Sequence, residues 1–298
     1  MRLCHRKLWA VVLFFAAVWL HAQSPSPRLK PIKDNLYQIE NVSGGNIVVL
    51  VGTTGVLMVD TGTDPEQAPL IDAAITEVTA LPVKTIINTH WHHDHVKGNA
   101  YWAKKGATIV GHEKMAQRLK EETHMVFFGN TRLPLEEAAW PTEIVTESKA
   151  IRFDGQKIDL LHLGPGHTDG DLVVVFNDAN VIHLGDLFFN GMYPYIGVSS
   201  GGNINGMIDN VNWILKELDG QAVVVPGHGP LSNKTELAAY VQMLTTVRDR
   251  IAPLVAQGKT LETIQAAKPT ADLDDPWGKA WLDGDAFVRL VVMNLQQL

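Results

Sequence analysis

The segment HWHHDH, residues 90–95, strongly limits what this chain can fold into, because it directly follows the apolar run VKTIIN. That run predicts a buried strand. An extended chain sends residues i and i+2 to the same side, so His90 and His92 are expected to point at one place. Asp94 and His95 are adjacent, and they can face a common cavity only if a helix begins there. A solvated histidine-rich loop is the alternative interpretation.

Three more candidate metal ligands are predicted at strand ends: His167 in GPGHTDGD, Asp186 in VIHLGD and His228 in VVVPGHG. Functional residues are common where a strand of a rigid scaffold gives way to a loop. Taken singly, Asp186 is more typical of a turn. Together the residues complete two sets bridged by Asp186, namely His90, His92 and His167 on one ion and Asp94, His95 and His228 on the other. Imidazole and carboxylate donors without thiolate favour two Zn²⁺ ions per chain, with iron or manganese as alternatives.

Strand and helix patterns alternate along the chain in two groups. NIVVLVG and GVLMVDTG predict paired strands that meet at a turn, and DPEQAPLIDAAITEV predicts a helix with Asp64 as its N-cap. KAIRF, KIDLLHL, DLVVVF and NVIHLGD predict a second group of strands, followed by a helix near GMIDNVNWILKEL. Helices outside two groups of strands indicate a layered α/β architecture with two sheets in the middle.

The last part of the chain, residues 233–298, is predicted to be helical. Apolar residues recur there at spacings of three and four, the pattern of an amphipathic helix; they are Leu237, Val241, Leu244, Val247 and Ile251. Packing on the preceding domain, residues 36–232, is the simplest role for this extension, and a dimerisation surface is the alternative.

Residues 1–22 have the three-part form of a secretory signal peptide, with a basic start, the apolar run LWAVVLFFAAVWL and a polar continuation. We expect cleavage after Ala22, a flexible linker over residues 23–35, and export to the periplasm or the medium. The apolar run is short for a membrane span, which needs about 20 residues. An uncleaved anchor is therefore the less favoured alternative, and no stable membrane insertion is expected after cleavage.

Removal of residues 1–22 takes away three basic residues and no acidic one, so the formal charge falls from −7 to −10. A nucleic-acid partner is disfavoured by this charge. The only cysteine, Cys4, lies in the removed segment. The mature chain is therefore expected to have neither a disulfide nor a thiolate metal ligand. The sequence leaves the oligomeric state open.

Short motifs of the chain resemble those of the metallo-β-lactamase-fold hydrolases, in the same order. They are VDTG (59–62), THWHHDH (89–95), GHTDGD (166–171), LGD (184–186) and PGHG (226–229). The resemblance covers residues 36–232 and implies a four-layer αββα sandwich with a dinuclear site at one edge of the sheets. It also implies that Asp60 orients the ligand loop from behind. A bridging aspartate is more similar to glyoxalase II and the lactonases than to the many β-lactamases with cysteine at that place.

The mechanism implied by the resemblance is metal-assisted hydrolysis of a small acyl substrate through a C–N, C–O or C–S bond, as in a β-lactam, a lactone or a thioester. Two ions about 3.5–4 Å apart would turn a bridging water into hydroxide near neutral pH. Asp94 would orient this nucleophile and later deliver a proton. The alternatives are an oxidoreductase similar to the mononuclear-iron sulfur dioxygenases and, least favoured, a non-catalytic metal-binding protein.

Residues 187–207 leave the Asp186 strand and combine aromatic side chains with glycines. A mobile lid over the metals and an irregular loop that packs its own aromatics are equally compatible with this composition. Tyr193 and Tyr195 are the candidates for substrate contact. The remaining histidines of interest are interpreted as structural or exposed; they are His112, His124, His162 and His183.

Overall fold

The computed structural model describes residues 25–297 of the 298-residue chain. The predicted signal peptide therefore lies outside the described residues. The strands are β1 (Arg28–Lys33), β2 (Leu36–Glu40), β3 (Ile47–Val51), β4 (Val56–Val59), β5 (Val83–Ile87), β6 (Thr108–His112), β7 (Thr123–Met125), β8 (Asn130–Arg132), β9 (Glu143–Val145), β10 (Lys149–Phe153), β11 (Gln156–Leu161), β12 (Val173–Phe176), β13 (Val181–His183) and β14 (Val223–Val225). The helices are α1 (Ala68–Thr76), α2 (His93–Val96), α3 (Asn99–Lys104), α4 (Glu113–Arg118), α5 (Ile204–Glu217), α6 (Lys234–Ala256), α7 (Leu261–Ala266), α8 (Asp274–Trp277) and α9 (Gly284–Gln296).

Two main sheets form the middle of the described part of the chain. The first has the spatial order β1-β2-β3-β4-β5-β6-β9, antiparallel from β1 to β4 and parallel from β4 to β9. The second has the order β10-β11-β12-β13-β14, antiparallel except for its last pair. Strands β7 and β8 form a separate hairpin.

Alternating side chains of the strands build a separate apolar core on each face of a sheet. Between the two sheets lie Val48, Leu50, Leu57 and Val59 of the first and Ile158, Leu160, Val174 and Phe176 of the second. The other face of the first sheet packs on α1 and α3, and the other face of the second packs on α5, α6 and α9. The predicted four-layer αββα sandwich is therefore confirmed.

Strand β1 lies inside the segment expected to be a flexible linker, residues 23–35, which is a correction to that expectation. It pairs with β2 at the outer edge of the first sheet, and Arg28 and Lys30 both form ion pairs with Glu40. Because the sequence RLKPIK is polar, its pattern did not predict a strand. Pro31 is compatible with it because an edge strand pairs on one side only.

The helices after residue 233 share one continuous apolar cluster with the second sheet. The predicted apolar face of α6 is buried at all five of its positions, so this face packs within the chain. Among the described residues, none of the helices is both long and apolar enough to cross a membrane.

Candidate metal centre

The predicted ligand segments follow strand ends that meet at one edge of the sandwich. His90 comes after β5, and His228 comes after β14. Asp186 lies in a short 3₁₀ turn, Gly185–Leu187, directly after β13. His92 is still extended, with φ −63° and ψ 143°, and α2 begins at the next residue. The expected change from extended chain to helix start is therefore present.

One cluster of donor atoms consists of His90, His92, His167 and Asp186, all of them buried. Asp186 Oδ2 lies 3.7 Å from His90 Nε2 and 3.4 Å from His167 Nε2. His92 Nδ1 lies 2.8 Å from His167 Nε2. Three imidazoles and one carboxylate oxygen thus point at a common centre.

The other cluster consists of Asp94, His95, Asp186 and His228. Asp186 Oδ1 lies 3.1 Å from His95 Nε2 and 3.5 Å from His228 Nε2. Asp94 Oδ2 lies 3.1 Å from His228 Nε2. Asp186 therefore directs one carboxylate oxygen toward each cluster, which is the arrangement expected of a bridging ligand.

The donor chemistry fits a pair of cations such as zinc. Bonds of about 2.1 Å in a tetrahedral site separate neighbouring donor atoms by about 3.4 Å, close to most of the distances above. His90 Nε2 is buried and has no hydrogen-bond partner among the described residues. A buried polar atom without a partner is costly, so a cation at the first cluster would satisfy it.

The ring nitrogens that face away from the clusters are held by neighbouring groups. His95 Nδ1 lies 2.7 Å from Asp60 Oδ2, and His167 Nδ1 lies 2.9 Å from the carbonyl oxygen of Tyr195. Asp60 also accepts hydrogen bonds from the backbone N–H and the hydroxyl of Thr89. Asp60 thus lies behind His95, where a residue that orients a ligand is expected.

The histidines of the two clusters differ in the direction in which their pKa values are shifted. Burial lowers the pKa of His90 and His92 well below the usual imidazole range, so both are neutral. Burial also opposes charge on His95, yet surrounding carboxylates, chiefly those of Asp186 and Asp60, raise its pKa well above the usual value. Without metal, His95 therefore holds a proton that a cation must displace.

Besides His95, the second cluster has another protonated imidazole, that of His228. Burial disfavours charge on His228, but the carboxylates of Asp186 and Asp94 outweigh it and raise its pKa to about 9. Burial likewise disfavours charge on Asp94, and His95 and His228 nevertheless hold its pKa below the usual carboxyl range. Both carboxylates of this cluster are ionised near neutral pH.

Two glycines allow the backbone to approach the ligands closely. A Cβ atom at Gly227 would collide with Asp186 Oδ1, and one at Gly45 would collide with the imidazole of His95. The backbone of Gly45 also donates to the carbonyl oxygen of Asp94. The loop before β3 therefore packs directly against the ligand helix.

A cavity of about 440 Å³ opens onto both clusters. Its lining combines ligand residues with aromatic and basic side chains; it includes Trp91, His92, His93, Asp94, Lys97, Met125, Phe128, Arg132, Asp186, Phe189, Tyr195, His228 and Trp281. This is the size and composition of a small-molecule site.

The two candidate substrate-contact tyrosines occupy different environments. Tyr195 lines the cavity. Tyr193 is fully buried, its hydroxyl donates to Asp274 Oδ1, and its ring stacks on Phe287. Most of the segment 187–207 is buried, so it resembles a packed loop more than an open lid. The structure therefore places Tyr193 in the core, contrary to expectation.

Sequence reasoning missed the outer wall of the cavity. Phe128 lies at the turn between β7 and β8, Arg132 lies at the end of β8, and Trp281 lies between α8 and α9. Strands of three residues give almost no periodic signal. The adjacent phenylalanines in the sequence THMVFFGNTR were the one available indication.

The chain is similar to known proteins in sequence. The model of the metallo-beta-lactamase superfamily matches residues 41–228. The metallo-beta-lactamase type 2 of Bacteroides fragilis is 23% identical over 67% of this chain and 74% of its own length. The 2,4-dinitroanisole O-demethylase subunit alpha of Nocardioides sp. (strain JS1661) is 24% identical over 98% of this chain and 84% of its own.

Solved structures share the fold. The metallo-beta-lactamase from Pontibacter korlensis superposes with a TM-score of 0.61 at 18% identity, over 74% of this chain and 99% of that one. The sec-alkylsulfatase Pisa1 from Pseudomonas sp. gives 0.68 at 16% identity, over 89% of this chain. This chain spans 50% of that alkylsulfatase chain.

The matched family model covers the segment that carries all the ligand residues, so the chain belongs to the metallo-β-lactamase superfamily. Within that class it is a metal-dependent hydrolase with a histidine and aspartate metal site.

Proposed function

We propose that this chain is an exported hydrolase that uses two zinc ions to open an acyl bond of a small molecule. The observation that carries the proposal is the position of Asp186, whose two oxygens lie 3.4 Å from His167 and 3.1 Å from His95 in the two clusters. A single-ion site would not need this shared carboxylate. Bound zinc ions would supply Lewis acidity for a carbonyl oxygen and an acidified water as nucleophile.

The residues of the chain would hold the two ions and transfer protons. The three imidazoles and one Asp186 oxygen of the first cluster would hold one ion, and the second cluster would hold the other. Asp94 has a side chain that is 36% exposed toward the cavity, unlike the buried Asp186. Its outward position suits it to accept a proton from an incoming water and to pass it to the leaving group.

The proposed role of Asp94 is tested by Asp94→Asn. We expect the variant to keep most of its zinc and to lose at least about 100-fold in kcat, because general acid–base groups contribute about that much or more. Unchanged turnover at full metal content would defeat the proposal for Asp94.

The bond type is tested with a chromogenic cephalosporin and the chain from residue 23 onward, loaded with zinc. Turnover that a chelator abolishes and Asp186→Ala loses would establish β-lactam opening. An absence of turnover by folded, zinc-loaded protein would reject that substrate, and lactones and thioesters would then be assayed with the same pair of proteins.

Metal analysis separates the alternatives. Two zinc ions per chain are expected for the hydrolase, whereas one iron per chain with oxygen consumption would support the sulfur dioxygenase-like function. Full zinc loading without turnover of any acyl substrate would support a non-catalytic metal-binding protein.

Aryl-ether hydrolysis is a second candidate function. The match to the 2,4-dinitroanisole O-demethylase subunit alpha extends over 98% of this chain, including the helices that flank Trp281 in the cavity wall. Coloured 2,4-dinitrophenolate released from 2,4-dinitroanisole by the zinc-loaded chain would support this candidate, and its absence would reject it for the isolated chain.

Export rests on the sequence of residues 1–22. The proposal is tested by expressing the full chain in a bacterium and sequencing the N-terminus of the protein from the periplasm or medium. A mature chain that begins at Gln23 supports it, and an intact N-terminus in the cytosol contradicts it.

A further inference from the structure

Two basic side chains line the cavity without an acidic partner. Lys97 and Arg132 are half-buried, and neither takes part in the ion pairs or side-chain hydrogen bonds found over residues 25–297. Because both groups line the cavity, an anion bound there would be attracted to them.

The two basic groups come from different parts of the fold and line the same cavity. Lys97 directly follows α2, the helix that carries Asp94 and His95, whereas Arg132 ends β8. The positive charge of this wall therefore comes from the ligand helix and from the β7–β8 hairpin.

The nearby carboxylates do not neutralise this charge. Asp94 and Asp186 point into the metal clusters, where their oxygens lie within 3.1 Å of His228 and His95. Neither carboxylate forms an ion pair with Lys97 or Arg132 over residues 25–297. The part of the cavity wall formed by these two basic groups is therefore positively charged.

The neighbouring wall is aromatic and partly open. Phe128 lies 4.9 Å from Tyr195 and stacks at 6.3 Å on Trp281, measured between ring centroids. Phe128 is 42% exposed and Trp281 is 45% exposed. Large apolar side chains exposed together at a cavity mouth are typical of a binding surface.

We propose that Arg132 and Lys97 bind a carboxylate of the substrate, and that the substrate is an aromatic acyl compound with this carboxylate at the end remote from the scissile bond. The guanidinium group matches a carboxylate in a two-point hydrogen bond, and the ammonium group adds a second charge. The flat part of the substrate lies against Phe128 and Trp281. The proposal deepens the proposed hydrolytic function and rests on it.

Two esters of nearly the same shape, one with a carboxylate and one with a neutral carboxamide, provide the kinetic test. They are the 4-nitrophenyl esters of terephthalic acid and of its monoamide, and both release coloured nitrophenolate. We expect Arg132→Gln and Lys97→Gln each to lower kcat/KM for the carboxylate about tenfold, and the double variant about 100-fold. For the amide, all three variants should match the wild type within about twofold.

The matched controls remove a positive charge from the surface away from the cavity. Lys216→Gln and Lys149→Gln, alone and combined, change exposed lysines that do not line the cavity. They are expected to leave both esters unaffected. Equal losses for both esters in the double Arg132 and Lys97 variant, or no loss for either, would overturn the carboxylate site.

A binding measurement separates failure of this proposal from failure of the hydrolytic function. Calorimetric titration of the zinc-loaded proteins with 4-carbamoylbenzoate should show about tenfold weaker binding for Arg132→Gln than for wild type, whereas terephthalamide should bind both alike. This difference without ester turnover would reject the hydrolytic function for esters and keep the carboxylate site. Equal affinity of both proteins for 4-carbamoylbenzoate would reject the site whatever the turnover.

Discussion

Asp60 lies outside both donor clusters and directly behind His95. It accepts hydrogen bonds from His95 Nδ1 and from Thr89, and its φ of +62° is the left-handed conformation that asparagine also tolerates. Asp60→Asn therefore keeps the backbone but removes the negative charge behind His95. We expect zinc affinity to fall about 10- to 100-fold, measured by competition with a chromophoric chelator.

The matched control for this substitution is Asp64→Asn, which makes the same chemical change at the half-buried N-cap of the turn before α1. Zinc affinity should stay at the wild-type value there. Wild-type affinity in Asp60→Asn would show that the carboxylate does not orient His95.

Tyr193 and Tyr195 give a second comparison at the level of single residues. Tyr193→Phe removes a hydrogen bond to Asp274, so the free energy of unfolding should fall by about 1 kcal/mol in urea titrations, with kcat/KM unchanged. The buried hydroxyl of Tyr195 has no partner among the described residues, so Tyr195→Phe should not reduce stability. The opposite order of stabilities would contradict these environments.

The role of a single residue could be predicted where the neighbouring sequence alone indicated it. The candidate metal ligands could be predicted because imidazoles and carboxylates after apolar strands are rare and chemically specific, and the structure brings them together in two clusters. Tyr193 was misplaced because an aromatic residue near a ligand strand has the same sequence signature whether it faces the cavity or Phe287. The basic wall formed by Lys97 and Arg132 depends on a hairpin contact that no local pattern reveals.

At the level of elements, Asn294 joins the last helix to the loop that precedes α5. Its side chain is buried, donates to the carbonyl oxygen of Gly202 and accepts from the N–H of Ile204. Asn294→Ala leaves both backbone groups without a partner, so we expect the free energy of unfolding to fall by about 3 kcal/mol in urea titrations.

The control is Asn212→Ala on the exposed face of α5, which should change stability by no more than about 0.5 kcal/mol. If the Asn294→Ala variant were as stable as the wild type, this would indicate that α9 does not belong to the stable core of the domain. The assignment of residues 233–298 as an extension packed on the catalytic domain stays a prediction until this is measured.

Long and strongly patterned elements were predictable, and short or polar ones were not. Helix α6 has five apolar positions on one face, and β3 and β4 are continuous apolar runs. Strand β1 was missed because its stability comes from pairing with β2 and from ion pairs to Glu40, which are contacts across the fold rather than properties of RLKPIK.

For the whole molecule, the ligands come from both sheets, and their protonation couples metal loading to pH. Without metal, His228 has a pKa of about 9 and that of His95 is raised, so both hold protons at pH 7. Zinc binding requires neutral imidazoles. We expect loading at pH 7 to release about two protons per chain, and fewer above pH 9.

Calorimetric zinc titrations in buffers of different ionisation enthalpy measure this proton release. As pH falls, protons compete more strongly for His95 and His228, so zinc affinity should weaken progressively below pH 7. Heats that are the same in every buffer at pH 7 would contradict the raised pKa values.

Gly227 has a consequence for how this enzyme can evolve. It offers no side chain to metal or substrate, yet any larger residue there would strike Asp186 Oδ1. In a library of random variants selected for activity, this position should be as intolerant as the histidines around it. Substitution would then be excluded at a position that performs no chemistry, because the carboxylate of Asp186 occupies the space that a side chain would need.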